Sequence, residues 1–535
     1  MHSPLGRTLP DLLREKADER PDAIAIIAGG ASVSYGDLLA RAGRVASGLR
    51  RRGLARGDRV GLLAGNGVEW LEILFGCGLV GATVVPFSTW STSRELSFLL
   101  GDAGIRLLFC TPGFGDRAFY PDIAGLVSTN GEGRSIDISA SDVVCLDGQP
   151  FDGAKGYRSF LAVEEDTGGS FGMAADPGDD ALVLYTSGSS SVPKAVRLIH
   201  AGLVENGFNI GERQGLGPDD RVFLSAPLFW AYGGANALPA AITHGAALVL
   251  AEKFTPESAI EIIEREGCTA IYTLPAMTGA ILASPAFDVE RLRTLRTGLT
   301  IGNPNEFLAA VDGLGVPELC NIYGSTETYG NCCVTWHHWP KQRRAQVQGP
   351  PLPGFTFRFR DPSNDEVVPD GREGLLEVKG HVSPGYSGAS AIHNDVFTAD
   401  GFYKTGDIGF LTKEGDFVFV GRNSEMIKRA GINVSPAEIE NVLMSHPEVR
   451  QCAVVGVDDA ERGERVVAYV VPDAAVHMRA DDLQAHCAAE LSKYKLPDHI
   501  EVVDTLPLTT TGKLHRRQLK DQAAHLIRSS DRIRA

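Results

Sequence analysis

An α/β fold is predicted, with a large N-terminal domain of packed parallel-type sheets and helices followed by a small, mobile α+β C-terminal domain. Three observations carry this. Across residues 23–86 short apolar runs alternate with amphipathic helical patterns, the order that parallel strands joined by crossover helices produce. The chain has 535 residues, more than three times the roughly 150-residue unit that a single core organises. Beyond Arg422 the pattern changes to a compact run of short elements.

Each element has a local cause. Leu9, Leu12, Leu13 and Ala17 share one helical face, and no basic-then-apolar leader precedes them. Ser34 is placed to cap a helix whose buried stripe is Leu38, Leu39, Ala42, Val45, Ala46 and Leu49, with Gly53 closing it. RVGLLAG and ATVVPF read as strands around a second helix. Residues 73–87 are the most apolar, but they fall short of the roughly 20 residues that span a bilayer and are broken by Gly76, Gly78, Gly81 and Pro86. They are read as core, and no membrane association is expected. Residues 121–180, poorer in periodicity and rich in Gly, Ser and Asp, are expected to contain exposed loops and are the least informative part of the chain. Near the C-terminus Ser435, Pro436 and Glu438 have the capping-box form, with Ile439, Val442 and Leu443 as a buried stripe. Strands over 450–457 and 465–471 and a helix over 480–491 follow. The domains are therefore drawn as 1–421 and 422–535, divided just after FVFVG.

Composition limits the partners. Fifty-one basic against 67 acidic residues leave a net charge of −16, the wrong sign for a protein that wraps nucleic acid. Any polyanionic ligand must be met by local chemistry. Nine cysteines, without a CxxC pair or a His/Cys cluster at zinc spacing, fit a reducing, cytoplasmic setting.

The most informative segment is ALVLYTSGSSSVPKAVRLIH, residues 181–200. A buried-type strand runs into a loop, Thr186, Ser187, Gly188, Ser189, Ser190 and Ser191, that ends at Pro193 and Lys194. Such a loop offers backbone N–H groups, several hydroxyls and one ammonium to a polyphosphate. Three further segments follow in order: NIYGSTETYG (321–330), YKTGDIGFLTKEGDFVFVGR (403–422) and LPLTTTGKLHRRQL (506–519).

Together the four motifs resemble the adenylate-forming superfamily of acyl-CoA synthetases, adenylation domains and luciferases, over nearly the whole chain. The resemblance implies a large domain with a mobile lid, an AMP or acyl-adenylate ligand, coenzyme A as acceptor, and ATP with Mg2+ where adenylation is active. It makes Thr326 and Glu327 the α-phosphate contact and the magnesium carboxylate, a hard-oxygen pairing. Tyr323 becomes the adenine wall and Asn321 a partner for the adenine amino group, with Gly324 and Ser325 between that wall and Thr326. Asp407 is the ribose carboxylate, with Arg422 beside it. Lys513 is the adenylation lysine, whose charge offsets a crowded anionic transition state. Lys428, Gly431 and Asn433 belong to the face presented for thiol attack, and Ser424 stands at the hinge.

LFWAYGGANA (228–237) resembles the acyl pocket of benzoate-type CoA ligases, with Phe229, Trp230, Tyr232, Gly233 and Asn236 as lining residues. Val204 to Phe208 and Thr300 to Asn303, Gly302 among them, are expected to line the same cavity. Rings separated by glycines suit a bulky hydrophobic cyclic carboxylic acid, aromatic or terpenoid-like.

The family loop reads approximately YTSGTTGxPKG, and both later glycines are replaced here, by Ser191 and Ala195. A left-handed backbone costs a non-glycine residue on the order of 1–2 kcal/mol, so the triphosphate cradle is expected to be weakened while the AMP contacts and Lys513 remain. On this reading the chain makes a thioester from acyl-AMP and CoA, weak or inactive in adenylation, and receives the adenylate from a partner ligase. A complete two-step ligase, an enzyme loading a carrier protein, and a non-catalytic adenylate binder stay open.

Overall fold

The computed structural model describes residues 4–128, 136, 138–162, 174–186, 193–389, 395–429, 432–459, 463–473, 478–508 and 514–534. One eight-stranded sheet runs in the order Cys333–Val334, Glu318–Tyr323, Thr297–Thr300, Ala270–Tyr272, Arg221–Leu224, Ala247–Leu250, Ile24–Ala28 and Ala31–Ser34. It is parallel except at its two edge strands. The second runs Tyr386–Ser387, Lys194–Ile199, Asp180–Thr186, Thr83–Pro86, Arg59–Leu63, Leu107–Cys110, Val143–Cys145 and Lys155–Gly156. Here Lys194–Ile199 is antiparallel to both of its neighbours and the remaining pairings are parallel.

Helices packed between these sheets make the main core, which joins Ile26 and Leu248 of the first sheet to Leu62 and Val84 of the second. The apolar segment from Val68 to Val80 is a helix buried on nearly every side, as an element between two sheets must be. Gly76 lets it approach the helix Tyr35–Arg51, because a Cβ there would lie 2.6 Å from Val45. Ser34 caps that neighbour by accepting from the Asp37 N–H, as its position predicts. No helix of the described residues is long and apolar enough to cross a membrane.

A five-stranded antiparallel sheet carries the chain onward through Thr356–Arg360, Gly374–Lys379, Tyr403–Leu411 and Phe417–Arg422. A 3-10 turn, Asn423–Glu425, leads into a separate sheet of Ile432–Val434, Ile427–Arg429, Gly463–Pro472 and Val449–Asp459, with His499–Val502 beside it. Helices Pro436–Met444 and Ala480–Glu490 cover one face of this sheet and Arg516–Arg534 the other. The division drawn at 421 and 422 falls on the last two residues of Phe417–Arg422.

One local expectation differs from the structure. Ser435 does precede the helix at Pro436, but its hydroxyl donates to Val420 O at 2.8 Å instead of closing a capping box. Glu438 pairs with Lys495, so long-range partners replace the local cap. Among the described residues of 120–180, the helix Tyr120–Ser128, the strand Val143–Cys145 and the short helix Tyr157–Leu161 pack through Ile123, Val143 and Phe160. Sparse but large apolar residues anchor these elements.

Candidate active site

The phosphate side begins where Asp180–Thr186 leaves its sheet. The chain returns at Lys194, directly opposite Thr186 in the antiparallel register. Ser187, Gly188, Ser189, Ser190 and Ser191 lie outside the described residues. The Lys194 ammonium stands 5.3 Å above the Tyr386 ring, and the Tyr386 hydroxyl donates to Glu327 Oε1 at 2.7 Å. Burial raises the Tyr386 hydroxyl pKa, and the charge of Glu327 raises it further, so this donor keeps its proton.

Ala195 corrects the strain argument. It sits in the extended strand Lys194–Ile199, paired with Tyr185 on one side and Ser387 on the other, and is 0% exposed. Its methyl packs in the core cluster containing Leu63, Val85 and Phe87. A strand residue bears no left-handed cost, so any penalty from the lost glycines falls on Ser191.

The second motif ends the strand Glu318–Tyr323 and turns through the 3-10 segment Thr326–Thr328. Gly324 is demanded by close approach, since a Cβ would lie 2.4 Å from Gly330 O. Ser325 and Thr326 are half-buried at the turn. Asn206, from the helix His200–Gln214, holds this turn from behind by donating to Thr328 O, Tyr329 O and Asn331 O at 3.3, 3.3 and 2.7 Å. Glu327 is buried, and its backbone oxygen accepts from the Ser383 N–H.

Tyr323, Asp407 and Arg422 come together as the nucleoside-side motifs predict. The Tyr323 hydroxyl donates to Asp407 Oδ2 at 2.6 Å. Arg422 lies opposite Asp407 in the strand register, with Nε 3.2 Å from Asp407 Oδ1. That contact lacks hydrogen-bond alignment, and Oδ1 is a buried acceptor without a donor. Burial raises the Asp407 pKa while Arg422 pulls it down. A buried carboxylate oxygen awaiting a donor suits a ligand hydroxyl.

Several predicted residues are brought to the frame instead of the ligand side. Asn321 is 0% exposed; its amide donates to Arg344 O and its oxygen accepts from the Ile322 N–H. These bonds engage one amide N–H and one lone pair of the side-chain oxygen at the sheet terminus. Tyr323 is itself buried, stacked 5.7 Å from Phe419 at 27°. Phe419, 37% exposed, is the ring that faces outward. Sequence reasoning passed over it, although Phe417 and Phe419 alternate onto one strand face.

On the acyl side, Phe229 and Trp230 precede a π-helix, Ala231–Ala237, a form frequent at functional sites. Its glycines admit the backbone: a Cβ at Gly233 would lie 2.4 Å from Pro227 O. Trp90 packs edge-on against both rings, with centroids 5.6 Å from Phe229 and 4.8 Å from Trp230. It comes from the loop after Thr83–Pro86 and carried no motif signal. The Tyr232 hydroxyl is spent on Thr273 O and Leu299 O, and Asn236 accepts from Tyr272. Asn303 caps the helix Pro304–Leu308 by accepting from Asn305 N and Glu306 N, and Gly302 leaves room for Glu306. The Asn303 side-chain oxygen is therefore engaged by the helix start.

On the small domain Lys428 is exposed on Ile427–Arg429, paired across the hairpin with the backbone of Asn433. Its N–H donates to Glu464 at 2.6 Å. Gly431 and Lys513 lie outside the described residues. Leu508 and Leu514, on either side of Lys513 in the sequence, form an isolated antiparallel bridge, and Arg516 is tied to Glu440, Val454 O and Glu425. Ser424 is exposed in the turn between the sheets.

Two packed, largely parallel sheets, a buried cluster of Tyr323, Asp407 and Arg422 at strand ends and a smaller C-terminal domain give the frame of a mixed α/β enzyme with a small second domain. The chain belongs to the AMP-binding enzyme family: that family model matches residues 13–387, and the AMP-binding enzyme C-terminal domain matches 438–513. Within it the chain is a member of the acyl-CoA ligase family of adenylate-forming enzymes. It is 32% identical to a feruloyl-CoA synthase from Amycolatopsis sp, over 94% of this chain and 97% of that one. It is 29% identical to the putative acyl-CoA synthetase YngI of Bacillus subtilis (strain 168), over 99% of both. Among solved structures, ATP-bound MatB from Rhodopseudomonas palustris is similar with a TM-score of 0.83 and 28% identity, covering 97% of this chain and 99% of that one.

Proposed function

We propose that this protein makes an acyl-CoA thioester of a bulky hydrophobic cyclic acid, with acyl transfer from acyl-AMP its strong half-reaction and adenylation its weak one. The observation that supports an adenylate ligand is Asp407, a buried carboxylate with Tyr323 on one oxygen and an unmet acceptor on the other. Ribose hydroxyls supply what Oδ1 lacks. Arg422 adds positive charge beside it, the local provision that an acidic chain needs for a phosphate ester.

In thioester formation the CoA sulfur attacks the acyl carbonyl carbon, the C–S bond forms, and the bond from that carbon to the phosphate oxygen breaks to release AMP. The thiol proton leaves to solvent. Lys428, Gly431 and Asn433 are the residues assigned to this face. Lys513 serves the other half-reaction, in which the acid displaces pyrophosphate from ATP. Glu327 fits a magnesium ion held by one protein carboxylate together with substrate phosphates: it is a buried acid with a Tyr386 donor on one oxygen, and among the described residues no group of three His, Cys, Asp or Glu forms an all-protein cage. Such an ion supplies charge neutralisation on the phosphates.

The aromatic group of Trp90, Phe229 and Trp230 supports a ring-containing acid. Terpenoid acids fall within this class, and the sequence bears a resemblance to an acyl-CoA ligase of platensimycin and platencin biosynthesis. The adenylate would come from a partner ligase. A complete two-step ligase is favoured by one observation: Ala195 is a core strand residue, which removes half of the argument against adenylation.

The test is to supply purified protein with synthetic ring-containing acyl-AMP and CoA, and in parallel with acid, ATP and Mg2+, following thioester and pyrophosphate exchange. Thioester from acyl-AMP with little exchange is expected, with Lys428→Ala impairing it and Lys513→Ala leaving it nearly unchanged. Fast exchange from acid and ATP would establish the two-step ligase instead, and no thioester from any adenylate would refute both.

A further inference from the structure

One carboxylate behind the phosphate side ties together two segments that the nucleotide needs in register. Asp102, in the last turn of the helix Ser93–Ala103, accepts the Tyr185 hydroxyl on Oδ2 at 2.7 Å and the Ala389 N–H on Oδ1 at 2.6 Å. A carboxylate at a helix C-terminus is opposed by the helix dipole, so helix preference does not account for it. Two donors from distant parts of the chain do.

Both donors lead to the phosphate side. Tyr185 immediately precedes Thr186, where the strand leaves its sheet for the loop. Ala389 lies three residues beyond Tyr386, the donor to Glu327. Between them Gly388 has φ +61°, and a Cβ there would lie 2.4 Å from Asp102 Oδ2, so only glycine passes this carboxylate without strain. The strand Tyr386–Ser387 also pairs with Ala195 and Val196, next to Lys194. Loop entry, lysine strand and metal-side tyrosine therefore share one anchor.

We propose that Asp102 is a positioning residue for the triphosphate end of the nucleotide, holding the loop entry at Tyr185 in register with the Tyr386–Glu327 pair without touching ligand. The inference rests on reading Lys194, Tyr386 and Glu327 as the phosphate side.

Calorimetry on the full chain, with AMP and with a non-hydrolysable α,β-methylene ATP analogue plus Mn2+, separates this from a general structural role. Losing hydrogen bonds to a charged group is expected to raise the analogue Kd about tenfold in Asp102→Ala while leaving the AMP Kd within about twofold. Gly388→Ala, which attacks the same contact from the other side, should match it. Electron paramagnetic resonance of Mn2+ should give a smaller bound fraction with the analogue in both variants. Equal shifts for the two nucleotides, or none, overturn the proposal. If Glu327→Gln and Lys194→Ala also leave analogue binding unchanged, the phosphate-side reading is what fails; if they weaken it and the Asp102 variants do not, only the inference fails. Should Asp102→Ala misfold, Asp102→Asn and Tyr185→Phe each disturb one bond at nearly constant volume and carry the same comparison.

Discussion

Separate glycine substitutions at positions 191 and 195 divide the two departures from the family loop. Ala195 is extended, paired on both sides and 0% exposed. Ala195→Gly therefore removes one buried methyl, about 0.8 kcal/mol, and adds the backbone freedom of glycine in a strand, about 0.5–1 kcal/mol. The sum is a destabilisation of roughly 1.5 kcal/mol with no gain in adenylation. Ser191→Gly restores the residue that the family uses at this position; a left-handed backbone costs a non-glycine residue about 1–2 kcal/mol, and on the proposed reading its relief is equivalent to an increase of about 5- to 30-fold in exchange. ATP–pyrophosphate exchange with a fixed acid reads the second effect. Urea unfolding followed by tryptophan fluorescence reads the first, because Trp70, Trp90, Trp230, Trp336 and Trp339 all precede the small domain. If Ala195→Gly accelerates exchange as much as Ser191→Gly, the methyl reaches ligand and its placement in the strand does not describe the working enzyme. If Ser191→Gly leaves exchange unchanged in a folded protein, the loop glycines are not what limits adenylation.

Three further outcomes are expected. Asp407 must be ionised to accept ribose hydroxyls, and its pKa is raised by burial; AMP affinity should fall as pH drops through that raised value, above where an exposed aspartate would titrate, and calorimetry on Asp407→Asn should show the dependence abolished. The stability contribution has the opposite sign: the folded apo-protein binds this proton more tightly than the unfolded chain, so the term favours folding increasingly as pH falls through the folded pKa. Asn206→Leu strips the donor from three buried carbonyls behind Thr326 and Glu327 and should cost about 2–3 kcal/mol in urea unfolding while weakening AMP binding. Trp90→Ala removes the ring edge-on to Phe229 and Trp230; thioester formation from ring-containing acyl adenylates should drop about tenfold relative to short linear ones, and an equal loss for both would mean that Trp90 is frame only.

Sequence carried the architecture because its signals are local and periodic. The Ser34 cap, the helix stripe from Leu38 to Leu49 and the run of strands toward Pro86 all rest on neighbours within a few residues. Where the signal needed a distant partner it failed: Ser435 has the form of a cap, yet Val420 O claims its hydroxyl. The same distinction governs the site. Motif residues whose chemistry is set by their own strand register, Asp407 and Arg422, were legible together.

Asn321, Asn303 and Tyr232 have the right residue types, but a buried amide or hydroxyl takes whichever partner satisfies it, and here those partners are Arg344 O, the N–H groups of a helix start, and two strand carbonyls. Trp90 and Asp102 sit in segments with no motif at all: Trp90 meets Phe229 and Trp230 across the two sheets, and Asp102 meets Tyr185 and Ala389 because its helix packs on the second sheet. Ala195 makes the sharpest case. A lost glycine argues for strain only if the backbone there is left-handed, and the pairing with Tyr185 and Ser387 makes it a strand. Substitution patterns in a phosphate loop thus carry energetic meaning only residue by residue, once each φ is known, and the question of ATP use by this chain narrows to Ser191.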